Sequence, residues 1–257
     1  MGRTYQDVCD KLMSEDRDDG THERFKRDLL ILKRKGVNSF ESLRELLLKP
    51  DPPAFYTATE LMALYEKPRA VPVLLQLFHS DDLSICFGVA RDLAMVGGKL
   101  AINGCVKLLA QITEPEYREA VVYALSFMSR HKEPIPILLH LFTDEQESIR
   151  VRTQAAEGLG NLLSFTNRRR RDYRQAGEAL LQGLSHASPE MRFWSAFGLW
   201  QMRYKNALSK LEELAESDKT MCPGWWTVGE EAYDAAFSIR TGRWSGIDRI
   251  PVPITQN

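Results

Sequence analysis

The chain has 257 residues, with 34 basic and 35 acidic side chains and a formal net charge of -1. That length accommodates one repeat array or two ordinary domains. The charge balance argues against a dedicated, non-specific nucleic-acid binder but leaves room for a local basic patch. Four scattered cysteines, Cys9, Cys86, Cys105 and Cys222, form no CxxC pair. That speaks against zinc or thioredoxin-like chemistry and fits reduced thiols in a cytoplasm. No apolar run approaches the roughly 18 residues of a membrane span, so no membrane contact is expected. The first twenty residues carry charges where a signal peptide would have its apolar core. Gln6 stands where a myristoylation signal needs serine or threonine.

Taken in order, residues 4–15 predict a short helix with Tyr5, Val8, Cys9 and Leu12 on one side, followed by a turn at Asp18-Asp19-Gly20. Residues 22–35 predict a second helix. Lys33, Arg34 and Lys35 at its C-terminal end complement the helix dipole, and Gly36 stops it. A third helix runs from Ser39 to Leu48 and ends at Pro50, Pro52 and Pro53. Beyond it, amphipathic segments come in pairs. Pro68–Phe78 precedes a helix opened by Asp81-Asp82. Leu100–Ile112 precedes one started at Glu114-Pro115. Pro134–Phe142 pairs with Glu147–Leu163, Arg174–Leu184 with Pro189–Met202, and Ala207–Ala215 with a less regular segment from Pro223 to Ile239. From Thr241 on, Gly242, Gly246, Pro251 and Pro253 predict a non-helical tail, with Trp244, Ile247 and Ile250 able to pack on the last pair.

One spacing recurs in the second member of each pair. Three, four, seven and eight residues after Arg152 stand Ala155, Ala156, Leu159 and Gly160, which puts four small or apolar residues on one helical stripe. Arg118 leads Val121, Val122 and Leu125 in the same way, and Arg192 leads Ser195, Ala196 and Leu199. Cys86 leads Val89, Ala90 and Leu93, and weaker copies start at Thr57 and Gly229. Leu64, Leu93, Leu125, Leu159, Leu199 and Ala236 are then equivalent, at intervals of 29, 32, 34, 40 and 37 residues. Such intervals are those of stacked helix pairs.

Val151-Arg152-Thr153-Gln154-Ala155-Ala156-Glu157-Gly158-Leu159-Gly160 resembles the HEAT family, in particular the short bacterial HEAT-like repeats of the phycobilisome-lyase type, whose pattern is V-R-x-x-A-A-x-x-L-G. The likeness covers residues 54–241. It implies an all-α, right-handed HEAT-like helical-repeat solenoid, an alpha-alpha superhelix of about six helix pairs. Residues 1–50 would form an N-terminal helical cap, 51–241 the repeats and 242–257 an irregular tail on the last repeat. Members of the family serve as scaffolds, adaptors, lyases, metal hydroxylases and nucleic-acid binders, so the resemblance speaks for fold more than for function.

Catalysis finds little support. The histidines His22, His79, His131, His140 and His186 form no HExxH, and no His-Glu dipeptide of the HEAT-like iron hydroxylases occurs inside the repeats. There is no GxGxxG, no GxxxxGK[ST] and no local nucleophile motif. No catalytic residue, metal ligand or cofactor is therefore expected, and a lyase-type accessory enzyme stays open only through the resemblance.

Binding is the better-supported class. In HEAT-like solenoids the second helices line the concave surface. Residues two, five and nine after the frame arginine should face it. These are Ala120, Tyr123 and Phe127; then Gln154, Glu157 and Asn161; then Trp194, Phe197 and Gln201. Exposed aromatic residues there would serve as anchors for a protein partner, whereas a register shifted by one residue would bury them. Trp200 stands where Gly160 stands in the best copy. The frame arginines are expected to reach an acidic group or carbonyl of a neighbouring repeat. The run Arg168, Arg169, Arg170, Arg171 with Arg174 lies in the connection that lengthens one interval to 40. It gives the alternative reading, a nucleic-acid contact through a basic loop.

Overall fold

The computed structural model describes residues 39–47, 55–164, 170–247 and 249, with isolated positions at 27, 30, 31 and 34. The expected helix at 4–15 lies outside the described residues, as does that at 22–35 except for residues 27, 30, 31 and 34, which are helical. Lys33, Lys35, Arg168, Arg169 and Ile250 also lie outside them. Among the described residues there are twelve α-helices, one 3-10 turn and no strand beyond an isolated bridge between Met221 and Thr227. The chain divides into two compact units, residues 1–104 and 105–257.

The first unit holds α1 (Ser39–Leu47), α2 (Phe55–Tyr65), α3 (Ala70–Leu77), α4 (Leu83–Val96) and the opening turns of α5 (Gly98–Gln111). Leu43, Leu61, Met62, Leu74, Phe78 and Leu93 are fully buried in it. Asp82 caps α4 by accepting a hydrogen bond from the Ser84 backbone N–H at 2.8 Å, which satisfies one of the donors a helix start leaves open. Gly97 ends α4 at φ 61°, in the left-handed region that favours glycine. The Arg69 guanidinium lies 4.0 Å over the Phe40 ring.

The second unit continues α5 and adds α6 (Pro115–Ser126), α7 (Pro134–Thr143), α8 (Ile149–Leu163), α9 (Arg171–Gly183) and α10 (Pro189–Met202). A 3-10 turn at Lys205–Ala207 then leads to α11 (Leu208–Ser217) and α12 (Val228–Thr241). These are the predicted pairs, with proline in the first turn of α6, α7 and α10. Ser148, Ser188 and Thr227 cap α8, α10 and α12, and Thr227 forms a full capping box with Glu230. Helix α9 starts at Arg171, three residues earlier than expected, where Asp172 supplies an acid in the first turn.

The helix α8 is central. It packs on α6, α7, α9 and α10 and buries residues on nearly all sides, including Val151, Ala155, Ala156, Leu159 and Leu163. Small residues decide how near its neighbours come. A Cβ added at Gly160 would stand 2.8 Å from the Gly198 Cα of α10, and one added at Gly198 would stand 2.9 Å from the Ala156 carbonyl oxygen. The two backbones therefore touch.

The frame arginines tie this stack together. Arg118 donates to the Leu109 and Ile112 carbonyls at 2.5 and 2.9 Å, at the end of α5, and pairs with Glu147 ahead of α8. Arg152 donates to the Phe142 carbonyl at 3.0 Å, at the end of α7. Arg192 donates to the His186 and Ala187 carbonyls, both at 2.8 Å, and to Asp218 at 2.8 Å. Arg118 and Arg152 thus fill carbonyls that a helix end leaves open, Arg192 fills carbonyls of the turn after α9, and Arg118 and Arg192 also hold an acid of the next repeat.

Gly160→Ala is expected to cost about 1–3 kcal/mol through overpacking against Gly198, more than the roughly 0.5–1 kcal/mol gained from helix propensity. A lower urea midpoint at unchanged m-value is the expected readout, and an unchanged midpoint would contradict the backbone contact. Arg118→Ala should cost about 1.5–3 kcal/mol by removing charged hydrogen bonds, measured the same way.

Candidate functional site

After the frame arginines Arg118, Arg152 and Arg192, the residues two, five and nine positions on fall at the margin between core and solvent, apart from Ala120, whereas those after Thr57 and Gly229 are buried. Tyr123 is half-buried on α6, and Phe127, 40% exposed at the C-cap of that helix, meets it with ring centroids 4.7 Å apart and planes tilted by 42°. Gln154, Glu157 and Asn161 are half-buried on α8, as are Trp194, Phe197 and Gln201 on α10. Ala120 departs from the expectation. It is fully buried, because its single methyl group drops below the rim into the packing around it. On α10 the ring that enters the core is Phe193, 1% exposed, one residue before Trp194.

The three residues on α8 form one polar group. The Gln154 side-chain amide donates to the Glu157 carboxylate at 2.6 Å. Burial pushes the Glu157 carboxyl above its ordinary range, partly offset by Gln154 and Asn161. Asn161 acts there through proximity, since its buried amide nitrogen makes no well-formed hydrogen bond. On α6, burial also raises the Glu119 carboxyl, against the pull of Arg150, which donates to it at 2.7 Å.

All five tryptophans of the chain gather at α10, α12 and the segments around them. Trp194 meets Trp225 at 5.4 Å and Phe197 at 5.3 Å. Phe197 meets Trp200 at 5.6 Å, and Trp200 meets Trp244 at 5.9 Å. Phe193, Cys222 and Val228 form the buried floor, with Trp194, Trp225 and Trp226 packed on it. Beside these rings lies Glu231, 3% exposed, whose carboxylate accepts from the Trp226 indole N–H at 3.0 Å. Burial pushes its carboxyl up to about 7, partly offset by that indole. Asp234, 1% exposed, takes two hydrogen bonds from Arg249 at 2.5 and 3.2 Å, and Arg249 also reaches Glu230 at 2.9 Å.

Glu231, Asp234 and Arg249 were not among the residues singled out from sequence. The signal was present for two of them, since Glu231 and Asp234 are the residues two and five after Gly229 in the weakest copy of the frame. Arg249 carried no pattern at all. The tail is fastened through it, while Trp244 and Ile247 stay 53% and 40% exposed.

Of the basic run, the described residues Arg170, Arg171 and Arg174 lie elsewhere, at the start of α9. Arg170 pairs with Asp172 at 2.9 Å, which holds the Asp172 carboxyl below its usual range. Arg171 and Arg174 stand exposed on the first turn of α9. They line an open groove of about 650 Å³ against Leu139 and Thr143 of α7, with Gln175 and Glu178. None of the second-helix residues above borders this groove, so the basic and aromatic features are not brought together.

Among the described residues, no three His, Cys, Asp or Glu side chains converge as metal ligands. Burial raises the Cys86 thiol to about 11 and those of Cys105 and Cys222 to about 12, which leaves them protonated and weakly nucleophilic. Among the described residues, no helix is long and apolar enough to cross a membrane.

No family model matches the chain, and no curated protein matches it. Among solved structures, the chain is similar to one in the complex of CpcE and CpcF of phycocyanin lyase from Nostoc. The TM-score is 0.53 at 22% identity, covering 65% of this chain and 98% of that one. Two engineered proteins give TM-scores of 0.49 and 0.47, each at 22% identity, covering 81% and 80% of this chain and 99% and 100% of theirs. The lyase-complex likeness, together with the stacked helix pairs, places the chain among all-α helical-repeat proteins.

A carboxyl whose folded-state value of about 7 exceeds its ordinary 4.5 holds extra protons in the folded state between those values. Glu231 therefore adds stability as pH falls from about 7 towards 4.5, and that contribution is lost as pH rises through 7. Between pH 8 and pH 5 the gain is on the order of 2–3 kcal/mol. Denaturant titrations across that range should show the gain in the wild type and its loss in Glu231→Gln. A parallel pH dependence in both proteins would contradict it.

Proposed function

We propose that this chain is a non-catalytic interaction or adaptor module of the HEAT-like type, acting in the cytoplasm, that holds a protein partner on the face of its second helices. The observation that carries the reading is the pair of partly exposed aromatic clusters on the two second helices that flank α8, Tyr123 with Phe127 at the end of α6 and Trp194 with Phe197 on α10, of which Tyr123 and Phe197 hold the same frame position. Rings half out of the core gain further burial when a partner covers them. Gln154, Glu157, Asn161 and Gln201 supply polar groups between and beside them. The buried, protonated thiols fit a reducing compartment.

A second reading rests on a different observation. Arg171 and Arg174 stand exposed at the N-terminal end of a helix and border an open groove, an arrangement suited to phosphate. It makes the chain a nucleic-acid binder acting from the first-helix side.

Affinity purification of the intact protein from native lysate, with and without nuclease, separates these readings. A stoichiometric protein that survives nuclease and is lost from Trp194→Ala and Phe197→Ala is the expected result. Recovery of nucleic acid that is lost from an Arg171→Ala, Arg174→Ala double variant would replace the first reading with the second.

A further inference from the structure

Along the second helices the chemistry alternates. Five residues after the frame position stand Tyr123 on α6, Glu157 on α8, Phe197 on α10 and Asp234 on α12. Phe127 reinforces the first aromatic rung, Trp194 the second, and Glu231 the last acidic one. Carboxylates continue on the flank, where Glu116 and Glu119 approach Arg150 at 3.8 and 2.7 Å.

The last acidic rung already holds a cation of this chain. Arg249, from the non-helical segment after α12, sets its guanidinium on Asp234 and Glu230, and Trp244 of the same segment meets Trp200. The tail thus displays how this face receives an irregular segment bearing an arginine and a ring. The Glu157 rung has the same character, an acid on a helix packed between the aromatic-bearing α6 and α10. Its hydrogen bond comes from a neutral amide, Gln154, instead of a guanidinium.

We infer that the partner presents a non-helical, arginine-bearing segment to this face, with a guanidinium seated on Glu157 between the Tyr123–Phe127 and Trp194–Phe197 rungs. The inference rests on the second-helix face being the partner site and adds the chemistry of what it takes. A guanidinium suits the place because its fork matches a carboxylate while its plane stacks on aromatic rings. A half-buried carboxylate gains most from such a partner, since water screens the pair poorly. The same carboxylates repel a phosphate backbone, so this face disfavours nucleic acid.

The test uses the intrinsic tryptophan fluorescence of the full chain, titrated near neutral pH and about 0.15 M salt with nona-arginine, and with nona-glutamate as control. The expected result is a saturable change with nona-arginine only. Glu157→Gln should weaken it at least about ten-fold and Glu157→Arg should abolish it. Glu213→Gln, on the exposed side of α11, should leave it unchanged, with matching thermal melts for all variants. Absence of binding, or binding that both Glu157 variants retain, overturns the inference. In the lysate experiment, a partner lost from Trp194→Ala yet not displaced by nona-arginine overturns the arginine chemistry and leaves the face as the partner site. A partner retained by both Trp194→Ala and Phe197→Ala overturns the face itself.

Discussion

The contact between α8 and α10, backbone against backbone at Gly160 and Gly198, is the constraint from which the rest of the second unit follows. Two helices meet this closely only where neither has a side chain at the crossing, and the same closeness removes the space that larger residues would fill. Ala155 and Ala156 continue the small-residue stripe, so α8 is sunk among its neighbours and shows little more than Gln154, Glu157 and Asn161 at the rim. What the rim carries is therefore a consequence of how deep the helix sits. On α6 and α10 the equivalent rim positions hold aromatic rings instead, and these extend past the packed layer.

The arginines at the start of the second helices solve the problem that helix pairs create at their turns. Each pair leaves the carbonyls of the first helix open just where the chain reverses. Arg118 and Arg152 reach back to those carbonyls, Arg192 reaches the turn carbonyls of His186 and Ala187, and Arg118 and Arg192 extend to an acid of the next repeat. A guanidinium can serve both directions at once because its donors fan out in a plane. These residues are thereby committed to the stack and are not free to hold a ligand.

The final repeat handles charge differently. Its frame copy begins at Gly229, where a side chain would collide with the Asp218 carbonyl oxygen at 2.5 Å. The acids that replace aromatic residues at its rim are buried, and they are accommodated by an indole N–H for Glu231 and by Arg249 for Asp234. Tryptophans suit this junction because each offers a large apolar surface with one polar donor at its edge. Arg249 fastens the tail there, and burial pushes the Glu231 carboxyl up to about 7, so this end of the stack responds to pH near neutrality.

The sequence by itself determined the helix pairs, their order, most of their boundaries and the small-residue stripe, because these depend on local periodicity, caps and prolines. It also singled out Tyr123, Glu157 and Trp194, since helical spacing carries over from the one strong copy to its neighbours, and the structure leaves these residues half-buried. It missed Ala120, where a side chain too short to reach the rim stays in the core, and it missed the first turn of α9, where Asp172 offsets the arginines. Only the tertiary structure decided that Arg171 and Arg174 border a groove without the aromatic residues, that the five tryptophans converge, and that Arg249 pairs with Asp234. Those outcomes join residues far apart in the chain, and no local period records which helix faces or tail segments meet.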